Sequence, residues 1–73
     1  MKATSARQVN RYLRTLGYRE EIYRVSEGGP YYAWSGGDSA WWSGTYVPRV
    51  GDLSMERWIE ERNHRAAEAT WGR

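Results

Sequence analysis

The 73-residue chain has no cysteine, no phenylalanine, one lysine (Lys2), one histidine (His64) and two prolines. Each scarcity excludes something. Without Cys there is no disulfide, no thiolate metal site and no thiol nucleophile. Small secreted domains commonly rely on disulfides, so a cytoplasmic setting is expected. Without Phe, the dry core must come partly from Tyr and Trp, which carry a polar handle. No apolar run is long enough for a membrane span or a signal-peptide core. The length supports one domain with one small core. That domain is expected across 1–73, ordered over about 5–67, with a frayed tail at 68–73.

What the chain does have is aromatic: five Trp and six Tyr. Seven of these eleven fall between Tyr23 and Tyr46, in a stretch that includes Tyr31-Tyr32-Ala33-Trp34 and Trp41-Trp42. Tyr and Trp suit half-buried surfaces and contact sites. The charge is uneven. Residues 1–26 hold six basic residues and two acids, whereas residues 27–73 hold five basic residues and seven acids. Ten of the eleven basic residues are Arg, the side chain suited to planar recognition of phosphate or carboxylate.

Residues 5–16 read as a helix. Ser5 and Gln8 have the spacing of a capping box. Val9, Tyr12, Leu13 and Leu16 form an apolar stripe, Gly17 is the stop, and Arg7, Arg11 and Arg14 project from the opposite face. Residues 21–26 and 31–35 read as two strands joined at Gly28-Gly29-Pro30. Residues 36–44 are a Gly-punctuated loop, and 45–49 are expected to form a third strand ending at Pro48. A second helix starts after Ser54, with Leu53 and Trp58 spaced as a hydrophobic staple. The expected fold is α+β, ordered α-β-β-β-α: a three-stranded antiparallel sheet with two helices packed on one face.

That order, with Leu16-Gly17-Tyr18 closing the first helix, a turn at Gly28-Gly29, Val47-Pro48 and Gly51-Asp52-Leu53, resembles the HicA-like toxins. These are small bacterial mRNA interferases with a fold like that of double-stranded-RNA-binding domains. The family's catalytic His lies just after the Gly turn, where this chain has Pro30, Tyr31 and Tyr32. The resemblance therefore implies topology rather than RNase activity, and a degenerate interferase is the third reading in rank. The chain also looks like small phage and prophage proteins that end in a Leu-Ser/Thr-x-Glu-x-Trp helix.

Two binding functions stand ahead of it. In the first, the chain is a non-enzymatic interaction module that docks on a protein, or on itself, through Tyr32, Trp34, Trp41 and Trp42. In the second, it binds nucleic acid through Arg7, Arg11 and Arg14 together with sheet aromatics. No cofactor, metal or membrane partner is expected. Glu60 and His64 are spaced i, i+4 but lack a second ligand cluster. Ser35-Gly36-Gly37-Asp38-Ser39 lacks the Lys and the strand-to-helix setting of a phosphate loop.

Overall fold

The first helix, α1, spans Ala6–Thr15 in the computed structural model. The structure describes residues 2–28 and 31–71, with backbone only for Trp41, Thr70 and Trp71. Ser5 Oγ accepts from the Gln8 N–H at 3.1 Å, which satisfies one donor left open at the helix start. The Gln8 carboxamide reaches back to Thr4, accepting from its N–H and its hydroxyl. The reciprocal half of the expected capping box is thus shifted one residue upstream. At the other end the Gly17 N–H donates to Arg14 O and the Tyr18 N–H to Leu13 O. With Gly17 at φ +87 this is a Schellman stop, and it turns Tyr18 back toward the core.

Strands β1 (Glu21–Val25) and β2 (Tyr31–Ser35) pair antiparallel, with Ile22 opposite Trp34 and Arg24 opposite Tyr32. The turn residues Gly29 and Pro30 lie outside the described residues. The third strand expected at 45–49 does not form; the sheet has two strands. Thr45 alone pairs with β2, exchanging both backbone hydrogen bonds with Tyr32 at 2.9 and 2.8 Å. Two residues later the Val47 N–H has turned back onto Thr45 O at 3.2 Å, a three-residue turn that ends the extended run. Pro48 then offers no N–H to continue a ladder. The fold is therefore α+β with two helices, in the order α-β-β-α. Single 3-10 turns at Ser39–Trp41 and Val50–Asp52 punctuate the long connection.

The second helix, α2, spans Met55–Trp71. Ser54 caps it, its Oγ accepting from the Arg57 N–H at 3.2 Å. Lys2 forms an isolated bridge with Ser54, so the N-terminal segment lies against the start of α2.

Period-two alternation sends Ile22, Tyr32 and Trp34 to one face of the sheet. That face meets Val9 and Leu13 of α1 and Met55 and Trp58 of α2 in one buried cluster. Trp58 is fully buried, edge-on to Tyr32 at 5.6 Å and to Trp34 at 6.1 Å. The polar handles of these indoles are used internally. Trp58 Nε1 donates to Val50 O at 2.9 Å, and Trp34 Nε1 to Thr45 Oγ1 at 3.2 Å. Tryptophan can therefore fill this core without stranding a donor.

Two side-chain devices lock the periphery. Asn10 of α1 lies beside β1, donating to Ile22 O at 3.1 Å and accepting from the Ile22 N–H at 2.7 Å. The second device is charged. Glu20 is 4% exposed, and its Oε1 meets Arg62 Nε at 3.0 Å. The other oxygen accepts from the Asp38 N–H at 3.2 Å. The Arg62 guanidinium lies over the Tyr18 ring at 4.1 Å and near the Trp42 ring at 5.4 Å, within cation–π range of both.

Removing one member of such a pair leaves the other charged and desolvated, at a cost of about 3–5 kcal/mol. Arg62→Leu is expected to lower unfolding free energy by about 3 kcal/mol in urea. Glu20→Gln, which keeps an acceptor for both donors, is expected to cost about 1 kcal/mol. Equal, small losses in the two variants would show that the pair does not hold the loop to the helix.

Candidate functional site

The aromatic residues expected at an interface divide between core and rim. Tyr32 and Trp34 are each 6% exposed and belong to the core cluster. Trp42 is half-buried, edge-on to Trp34 at 5.6 Å and beside Arg62. The Trp41 side chain lies outside the described residues. The described members of that set are thus held by the fold itself and do not form an open surface.

An open aromatic surface exists on the other side of the sheet. Alternation places Tyr23, Val25, Tyr31 and Ala33 on the face that the helices leave uncovered. Tyr46 joins them, stacked on Tyr31 with ring centroids 4.9 Å apart and planes 28° from parallel. Tyr46 is 72% exposed and Tyr23 50%. The platform has a local cause. The Thr45 bridge to Tyr32 fixes the backbone beside β2, and the next residue, Tyr46, is delivered onto Tyr31. Tyr23 and Tyr31 share a face by strand parity, a signal present in the sequence. Nothing in the sequence places Tyr46, because its position depends on a single bridge rather than a strand.

The expected Arg stripe is present. Arg7, Arg11 and Arg14 are all exposed on α1. Arg14 reaches Glu21 at 2.9 Å with both side chains largely open to solvent, a pairing worth little in water. The ion pairs of the molecule are otherwise concentrated on α2, joining Arg57 to Glu60, Arg65 to Glu61 and Glu68, and Arg62 to Glu20. Lys2, Arg7, Arg11, Arg19, Arg24 and Arg49 pair with no carboxylate among the described residues. Folding sharpens the charge asymmetry of the sequence. The acids of α2 are neutralised locally, and uncompensated positive charge stays on the N-terminal side.

The remaining polar candidates have ordinary partners. His64 sits on the exposed side of α2, 3.3 Å from Glu68. Glu61 meets Arg65 and accepts from Thr45 Oγ1. Among the described residues no three His, Cys, Asp or Glu side chains converge as a metal site, and no helix is long and apolar enough to cross a membrane.

A stability scan separates the two aromatic groups. Trp34→Ala is expected to cost about 3–5 kcal/mol, the range for a truncated core aromatic. Tyr23→Ala and Tyr46→Ala are each expected to stay within about 0.5 kcal/mol of the parent, as surface positions do. Chemical denaturation of the three variants checks this.

No family model, curated protein or solved structure matches the chain.

Proposed function

We propose that the chain is a non-enzymatic binding domain for single-stranded nucleic acid. Its stacking surface is the open sheet face carrying Tyr23, Tyr31 and Tyr46, and the unpaired cations of α1 and β1 supply attraction for the phosphates from the helix side of the sheet. The observation that carries this reading is the coincidence of a solvent-open tyrosine platform with six basic side chains that no carboxylate neutralises among the described residues. Exposed rings on a sheet stack bases whose faces are free, at about 1–3 kcal/mol per base. A paired duplex hides those faces, so the platform favours a single strand. Unpaired Arg supplies the salt-dependent attraction to the phosphate backbone. Docking of a protein on the same tyrosines is the competing reading. It accounts for the rings but leaves the segregated positive charge without a role.

Amide NMR shifts with single-stranded RNA and DNA oligonucleotides of mixed sequence test the proposal. At low salt, shifts are expected at Tyr23, Tyr31 and Tyr46 and along Arg7, Arg11 and Arg24, and they are expected to weaken as salt is added. Tyr23→Ala and Tyr46→Ala should each weaken binding by about 1–3 kcal/mol. If neither oligonucleotide shifts these residues while raising the protein concentration does, the surface is a protein contact and the nucleic-acid reading fails.

A further inference from the structure

A concave feature lies at the N-terminal end of α1. A cleft of about 560 Å³ opens there between the 2–6 segment and the 3-10 turn at Val50–Asp52, and Lys2, Arg24, Arg49, Asp52 and Tyr32 line it. We propose that this cleft takes the terminal phosphate monoester of a nucleic-acid strand, which rests on the single-strand reading above and gives that surface an end.

Three kinds of observation converge. The first is charge. Lys2, Arg24 and Arg49 enter the cleft from three separate segments, and none has a carboxylate partner among the described residues. The one acid present, Asp52, has Oδ2 occupied by the Arg49 backbone N–H at 3.1 Å. Two positive charges remain in excess, which matches the charge of about −1.5 to −2 on a phosphate monoester at neutral pH. A diester carries only one negative charge. The second is preorganisation. Arg24 stands on β1 with Nη1 bonded to Pro48 O at 3.1 Å, and the Lys2 backbone is held by its bridge to Ser54. The third is an unused donor. Tyr32 lines the cleft, and its hydroxyl makes no hydrogen bond among the described residues. Backbone N–H groups at the start of α1, at Ala6 and Arg7, add the favourable end of the helix dipole, and no acid in the first turn opposes it.

The cleft and the platform are joined by a short stretch of chain. Tyr46 lies on the open sheet face, and Arg49 in the cleft is three residues further on, a chain distance of at most about 11 Å. That distance is the span a terminal nucleotide would have to bridge for a base on Tyr46 and a phosphate on Arg49 to be held together.

The test compares one short oligouridine bearing a 5′-phosphate, a 3′-phosphate or neither. A terminal phosphate on one end is expected to tighten binding by about tenfold or more, the size of a charge-assisted hydrogen bond. Arg49→Gln should abolish the gain, and its effect on the unphosphorylated strand, whose backbone this cation also attracts, should be clearly smaller than its effect on the phosphorylated one. Tyr32→Phe should reduce the gain without loss of stability, since the hydroxyl makes no hydrogen bond among the described residues. Equal affinity for all three oligonucleotides overturns the terminal-phosphate pocket and leaves the single-strand reading standing. Inorganic phosphate, followed by the amide shifts of Ser5, Ala6 and Gly51, reads the cleft independently. Saturable shifts that Arg49→Gln removes support an anion pocket, and their absence overturns it. Saturable shifts with no binding of any oligonucleotide, or tighter binding of a phosphoserine peptide than of the phosphorylated strands, overturn a nucleic-acid end as the source of the phosphate.

Discussion

The buried Glu20–Arg62 contact is the constraint on which the arrangement of this small domain turns. It joins the residue just before β1 to the middle of α2, 42 positions away. In closing, it fixes three other things. Tyr18, released by the stop of α1, stacks against the guanidinium; Trp42 takes a place near it; and the loop at Asp38 is drawn in by the second carboxylate oxygen. Gly37 lies at φ +53, and a Cβ there would overlap the Glu20 carboxylate. The loop sequence answers to the charge beneath it. A pair of this kind is not strongly stabilising in net terms, since desolvation offsets most of the attraction. Its effect is selective, because alternative packings would leave a carboxylate buried without a cation.

A domain of this length has little apolar surface to bury, and the aromatic composition is the response. Trp58 contacts both sheet aromatics of the core, and the indole N–H groups of Trp34 and Trp58 are consumed by Thr45 and Val50. Indoles placed this way serve as core without demanding water. The tyrosines on the other face have no helix above them. The same residue classes thus carry two tasks, and strand parity decides which residue does which.

Much of the scaffold was legible in the chain. The Ser5 and Ser54 caps, the Gly17 stop, the bounds of β2 and the staple-like placement of Leu53 and Trp58 are local signals, and local chemistry settles them. The third strand was misread because Thr45, Tyr46 and Val47 have strand propensity. The turn of the Val47 N–H onto Thr45 is a three-residue event that propensity does not register. The site was read less well. Trp and Tyr density marks a region that holds both core aromatics and open tyrosines, and which is which is a property of the tertiary pairing. Tyr32 and Trp34 went inward because Ile22 is opposite Trp34 and the helices cover that face. The cleft could not be read at all, since Lys2, Arg24 and Arg49 meet only after folding.

Asn10 has a consequence for how copies of this molecule meet one another. A two-stranded hairpin is the smallest sheet able to recruit strands from a neighbour, and cross-β stacking grows by that route. Here the outward backbone groups of Ile22 are occupied by a side-chain amide from α1, and those of Tyr32 on the opposite rail are occupied by Thr45. Fibril growth through these positions would first have to pull a helix off one rail or unhook a loop from the other. The hairpin is plugged at one position on each edge by its own chain, Ile22 by Asn10 and Tyr32 by Thr45.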